Sequence, residues 1–323
     1  MKRVNSVFPE AFVVFFSLIA TSFPLIPGRA EDNPAILARA EELAKGGKGE
    51  ESTRLYRQAL SADPQCWQAY AGIGRNHFAA GEYADAAADF RKALEFHPND
   101  LELINWASRT FLRQQHPEKI PELLSHDNLT VANSALAHLL LARAYDAEEN
   151  EDQATHEIGL ALEIDPRCHG AHFAQGFMDW RAGDLPNAEK KLQEELSLDP
   201  HETLASYYLA EVLEKQDKLA EAEGVLTRMG REDPNTYLYQ LAVGKLRERQ
   251  KDIPSATDHY RQAIRLDAGQ PEAHYRLAVL LRALRQSAQA NEEFHIFSQL
   301  QSHTARGMGQ GMGRVRPPLP DFD

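Results

Sequence analysis

Cysteine is scarce in this chain: only Cys66 and Cys168 occur among 323 residues. They allow one disulfide at most, and the register described below argues against even that. Positive charge is also short, with 35 Lys and Arg against 48 Asp and Glu, for a formal net charge of −13. The first thirty residues carry Lys2, Arg3 and Arg29 against Glu10, which leaves about −15 on the remainder. Nucleic-acid binding needs clustered Lys and Arg to neutralise phosphates, so this balance argues against it. Adhesion to anionic membranes is disfavoured for the same reason. Catalytic signatures are missing too. The sequence contains no G-x-S-x-G, no G-x-x-x-x-G-K-[ST] and no H-E-x-x-H. The glycines of GMGQGMG near the C-terminus follow no strand and open no helix, which speaks against nucleotide binding.

Long apolar runs are confined to the start of the chain. Lys2 and Arg3 precede the mostly apolar stretch Ala11 to Phe23, and Gly28 and Ala30 occupy small-residue positions ahead of Glu31. This order predicts a signal peptide over residues 1–30 and an exported, periplasmic or secreted protein. The run is short for a bilayer span, so an uncleaved N-terminal anchor is the alternative and no stable membrane insertion is expected after cleavage.

What the sequence does have is a period. Pro64, Pro98, Pro166, Pro200 and Pro234 are separated by 34, 68, 34 and 34 residues. Rows of 34 then begin at Asn33, Trp67, Leu101, Ala135, His169, Thr203, Tyr237 and Pro271. Column 8 reads Ala40, Gly74, Ser108, Ala142, Gly176, Ala210, Gly244, Ala278, all small. Column 24 reads Tyr56, Phe90, Leu124, Ile158, Leu192, Leu226, Tyr260, Phe294, all large and apolar. Column 20 is small except for Ile120. Small residues let two helices approach, and a bulky one fills the seam beside them. Apolar spacings of three and four predict two helices per row, broken near columns 14 to 17. Proline at column 32 ends the second helix. Row three departs from the pattern, with Ile120 at the small column and Pro117 and Pro121 around its second helix, so a degraded helix is expected there.

With that pattern laid out, residues 33 to 304 resemble the tetratricopeptide repeat family, whose period is 34. Tyr70, Ile73, Gly74, Ala86, Phe90, Ala93 and Pro98 of row two stand at the family's spacings. The expected fold is all-α, a right-handed α-solenoid of about eight 34-residue helix-turn-helix repeats over 31–304. Its handedness is implied by the resemblance alone. Residues 305–323 are read as a disordered Gly/Pro-rich tail. Its RPPLP is a candidate polyproline ligand, with a solvated end as the plainer alternative. Cys66 and Cys168 both fall at column 34, three rows apart. Packed helices stand 8–10 Å from each other, too far over three rows for a disulfide.

The resemblance also implies that the first helix of each row lines a concave groove through columns 2, 5, 6, 9, 12 and 13. Column 9 places Arg75, Arg109 and Arg143 one row apart, and Asn105 and Arg113 add donors. Trp106, Phe173, Phe177, Trp180, Tyr207 and Tyr208 supply aromatics. Together these give a peptide-binding groove with a basic wall and an aromatic shelf, suited to an acidic protein or peptide ligand with apolar anchors. The plainer alternative pairs the arginines with Glu102 or Asp146 and puts the aromatics in the core. The Lys–Asn clamp that some relatives use for a terminal carboxylate is not reproduced, since the relevant pairs are Ala71 with Arg75 and Asn105 with Arg109. His138, His172 and His274 recur at column 4 and are read as packing or hydrogen-bonding residues. His169 and His172 form an H-x-x-H pair without a completing ligand set, so no metal and no cofactor is expected. The repeats leave no room for a catalytic domain, and the protein is read as a non-catalytic interaction scaffold. The alternative is a structural assembly protein, a homodimer formed through Phe294, Ile296, Phe297 and Leu300 of the terminal helix.

Overall fold

The computed structural model describes residues 33–124, 133–307 and 319–320. The expected signal segment lies outside these residues, as does most of the expected tail. The described residues form helices in eight consecutive pairs. They are α1 (Asn33–Lys45) and α2 (Gly49–Ala62), α3 (Trp67–Ala79) and α4 (Tyr83–Phe96), α5 (Leu101–Arg113) and α6 (Lys119–Leu124). Next come α7 (Ala135–Ala147) and α8 (Glu151–Ile164), α9 (Ala171–Ala182) and α10 (Leu185–Leu198), α11 (Thr203–Lys215) and α12 (Leu219–Glu232). The last are α13 (Tyr237–Arg249) and α14 (Ile253–Leu266), α15 (Pro271–Ala283) and α16 (Ser287–Gly307). No strand occurs among the described residues. Each helix packs against the next along the chain, and first helices also touch across rows, as α5 does on α7 and α11 on α13. The architecture is the expected α-solenoid.

Each turn inside a pair has one residue at positive φ, always at column 15. Gly47, Gly81 and Gly183 hold it in three rows, and Gln115, Glu149, Asp217, Lys251 and Arg285 in the other five. The following amide then reaches back five residues, as from Lys218 N to Leu213 O at 2.9 Å, which satisfies carbonyls the helix end would otherwise leave open. Between rows, an aspartate at column 31 accepts the amide two residues on. Asp63, Asp165, Asp199, Asp233 and Asp267 do so at 2.9–3.0 Å. The Asp-Pro pairs are therefore two devices in one: proline stops the helix and aspartate closes the turn.

Columns 8 and 24 meet as their sizes require. A Cβ on Gly74 would lie 2.9 Å from Phe90, on Gly176 2.9 Å from Leu192, and on Gly244 2.5 Å from Tyr260. The column-4 polar residues join the two helices of a row. His138 meets Glu157 at 2.6 Å, His274 meets Glu293 at 2.5 Å, and Gln240 meets His259 at 2.7 Å with the imidazole on the second helix. His172, His274 and Gln240 also reach the carbonyl at column 32 of the preceding row, at 3.0, 3.2 and 2.7 Å. Row three keeps Ile120 fully buried at its small column, and α6 covers six described residues where α4 covers fourteen. Both cysteines are buried and free. Burial raises the Cys168 thiol to about 11, with Asp165 and Glu195 adding to it, so the group stays protonated.

Candidate functional site

The three column-9 arginines are not equivalent groups in the structure. Arg75 is partly exposed and approaches Glu102 at 3.8 Å. The Arg109 guanidinium lies over the Trp106 ring at 4.7 Å and over Phe78 at 5.8 Å. Arg143 is only 4 % exposed. Asn105 is half-buried on α5, and Arg113 is exposed at its end. A cation stacked on two rings is held in one geometry, which sets Arg109 apart from the other two.

The aromatics form one connected set, but at different depths. Phe173 and Phe177 are fully buried and serve as core. Trp180 and Tyr208 are half-buried, with ring centroids 5.0 Å apart, and Phe177 stands 5.5 Å from Trp180. Lys215 Nζ sits 4.5 Å above the Trp180 ring. Trp180 Nε1 has no hydrogen-bond partner among the described residues. Tyr207 is buried at 5 % and donates to Glu211 at 3.1 Å. Burial, reinforced by Glu211, holds its phenol well above the ordinary range.

Sequence reasoning passed over a set of charges on the same face. Lys245 on α13 is 5 % exposed and binds three oxygens: Tyr207 at 2.7 Å, Glu272 at 2.6 Å, and Glu211. The oxygens come from the rows on either side of Lys245's own, so one ammonium ties α11, α13 and α15 together. Glu214 is 7 % exposed beside this network, and its Oε1 has no partner among the described residues. Burial pushes its carboxyl up to about 7 and the Glu211 charge adds to that, while Lys245, Arg276 and Arg249 act the other way.

A second buried pair lies one row on from Arg109. Asp146, 3 % exposed at the end of α7, takes Arg181 Nη2 at 2.6 Å, and Arg181 also reaches Glu151 at 3.1 Å. The other oxygen of Asp146 accepts the backbone amide of Leu319 at 2.6 Å. Leu319 is 6 % exposed and belongs to the apolar core of rows four to eight. For this residue the expectation of a solvated tail does not hold. Asp146, Trp180 and Glu214 share column 12 of rows four, five and six, and Arg113, Arg181, Lys215 and Arg249 share column 13. The signal was present, since both columns belong to the groove set, but the partners come from other rows, which a single-column reading does not pair.

His169, Asp199 and Glu202 bring donor atoms within 4.8 Å of each other. Asp199 already accepts the His201 amide and Glu202 the Leu204 amide, so both carboxylates serve as turn and cap acceptors. His172, the other half of the H-x-x-H pair, turns instead to Glu194 at 3.2 Å and Pro166 O at 3.0 Å.

Two profiles described as tetratricopeptide repeat match residues 37–100 and 179–246. The chain is a tetratricopeptide repeat protein. Among solved structures, a tetratricopeptide repeat protein from Parabacteroides merdae superposes with a TM-score of 0.59 at 14% identity, covering 78% of this chain and 99% of that one. The APC/C hetero-tetramer Cut9–Hcn1 does so with a TM-score of 0.60 at 15% identity, covering 86% and 55%. Among curated proteins, anaphase-promoting complex subunit 3 of Schizosaccharomyces pombe is 23% identical over 213 residues, 65% of this chain and 32% of that protein. A DnaJ homolog subfamily C member 7 homolog of the same yeast is 27% identical over 150 residues, 41% and 31% of the two chains. The tetratricopeptide repeat chain thus spans about a third of the length of the curated relatives it matches. Its repeats are those of a protein-interaction scaffold. Among the described residues no helix is long and apolar enough to cross a membrane.

Proposed function

We propose that the first-helix face of rows three to six binds an extended peptide of a protein partner and does no chemistry on it. The observation that carries this reading is column 12. Trp180 and Glu214 present a donor and an acceptor on successive first helices, and Trp180 Nε1 and Glu214 Oε1 are buried without a partner among the described residues. A buried polar atom left unpaired costs about 1–3 kcal/mol, so a ligand that supplies the missing partners is favoured. Neighbouring helices stand 8–10 Å apart, so one slot meets every third residue or so of an extended chain. Arg109 over Trp106 and Lys215 over Trp180 add two ring-held cations, which suits acidic side chains on the ligand.

The test is a display selection of random peptides on the full-length protein, followed by titration of the winners against wild type and Arg109→Ala/Trp180→Ala. Weaker binding by the variant, a flatter salt dependence and unchanged far-UV circular dichroism support the groove. Equal affinity at low and high salt defeats it.

Self-association is a second reading, favoured by Phe294, Ile296 and Phe297, which stay half-exposed on α16. Light scattering of the full chain and of Phe294→Glu/Phe297→Glu separates the two. Export is supported by Lys2, Arg3 and the apolar run Ala11 to Phe23, and is read directly from the N-terminus of the protein isolated from cells.

A further inference from the structure

We infer that the cavity between α11, α13 and α15 seats an acidic side chain of the bound peptide, and that Glu214 meets it as the protonated acid, so that the carboxylate and one proton bind together. This rests on the groove reading above, carries it on to rows six to eight, and names the side chain selected there. The cavity measures about 350 Å³, and all eight residues lining it are charged: five cations and three carboxyls. Most of them are already matched. Lys245 binds Glu211 and Glu272, Arg276 stands 3.5 Å from both Glu248 and Glu272, and Arg249 reaches Asp217 at 3.2 Å. Two cations of the lining, Lys215 and Lys251, make no ion pair among the described residues, and one carboxyl, Glu214, leaves Oε1 without a partner at 7 % exposure. Lys215 also lies over the Trp180 ring, so a peptide crossing Trp180 arrives at the mouth of this cavity. The two spare cations stand at columns 13 and 15, not at the clamp positions that the sequence fails to reproduce.

Charge balance decides which sign of ligand fits. With the partners Glu272 and Asp217 the set holds five cations and five carboxyls, so ionised Glu214 leaves it neutral and protonated Glu214 leaves it one charge positive. A ligand carboxylate restores neutrality in the second case, whereas a ligand ammonium would add to the five cations. The neighbouring elements do not upset this balance. Tyr260 of α14 donates to Glu248 at 2.6 Å, and burial holds its phenol far above the ordinary range. On the other elements packed against α11, Arg181 of α9 pairs with Asp146, Glu189 of α10 with Lys218, and Glu223 of α12 with Arg247. Glu214 is the group able to take the proton, because burial lifts its carboxyl to about 7. Protonated, it offers an O–H to the incoming carboxylate and keeps an acceptor oxygen; ionised, it repels that carboxylate. An acidic side chain of the peptide has an ordinary pKa of about 4, so the proton stays with Glu214.

The test selects displayed random peptides on the full-length protein at pH 6. The winners are titrated at pH 6 and pH 8, beside copies in which each Asp or Glu is changed to its amide. Wild type is expected to lose about tenfold in affinity between the two pH values, as one required proton on a group titrating near 7 dictates. Calorimetry at pH 8 in two buffers of different ionisation heat is expected to show uptake of about one proton per peptide. One of the amide copies is expected to lose most of the affinity at pH 6. Glu214→Gln donates from an amide whatever the pH, so it is expected to hold its pH 6 affinity at pH 8 and to take up no proton. Winners that depend on Arg109 and Trp180 but carry no acidic residue, bind equally at both pH values or tighten as pH rises overturn the inference and leave the groove reading standing. So does a Glu214→Gln variant that folds but keeps the wild-type pH dependence or loses binding at pH 6. Failure to select any peptide at either pH removes both.

Discussion

Glu214→Gln separates the electrostatic account of the inner face from a purely steric one. The carboxyl is buried, and its pKa rises from 4.5 to about 7 in the folded chain. The sign follows from proton counting. Between these values the folded state holds a proton that the unfolded state has released, so stability falls as pH rises. The group costs nothing below about pH 4.5 and its full penalty is present above about pH 7. At 1.36 kcal/mol per unit, the shift is worth about 3 kcal/mol at pH 8. Glutamine keeps the shape and removes the charge. The variant is therefore expected to be more stable than wild type by about 3 kcal/mol at pH 8 and equal to it near pH 4. Urea unfolding followed by far-UV circular dichroism, repeated across that range, reads the difference directly. A gap that does not change with pH, or a variant less stable than wild type at pH 8, would refute the reasoning.

Other variants test the packing. Gly244→Ala puts a Cβ 2.5 Å from Tyr260 and is expected to destabilise by about 1–3 kcal/mol, whereas Gly224→Ala, with nothing within 4 Å, gains up to about 1 kcal/mol from helix propensity. Thermal unfolding of the two variants side by side checks the contrast. Arg285→Gly relieves a φ of 62° at the last turn and is expected to stabilise by about 0.5–1 kcal/mol in the same assay. Glu195, fully buried, accepts the amides of Gly170 and Phe173 at 2.8 and 3.1 Å. Glu195→Ala strands both donors, and denaturant unfolding is expected to show a loss of about 2–4 kcal/mol.

The fold was legible because each of its devices repeats. A single period carried the proline stops, the small residues of column 8 and the bulky residues of column 24, and each has a local physical cause. The site was less legible because its contacts cross rows. Lys245 gathers oxygens from α11 and α15, and Asp146 pairs with Arg181 of the next row; neither is visible in one column. Arg75, Arg109 and Arg143 share a column, yet a stacked cation, a partly exposed one and a buried one result, because the neighbours at each slot differ. Phe173 and Phe177 match the groove columns by number, but they are fully buried as core. Leu319 escaped for a different reason. Its stretch has no period, and only the three-dimensional position of Asp146 shows what it meets.

Hydroxyl-radical footprinting of the full chain, with and without a saturating selected peptide, tests the central claim most directly. The account predicts slower oxidation of Trp106, Trp180 and Tyr208 on the first helices when peptide is bound, and no change at Phe96, which is exposed at the end of α4. Protection at Phe96 with none at Trp180 and Tyr208 would contradict it.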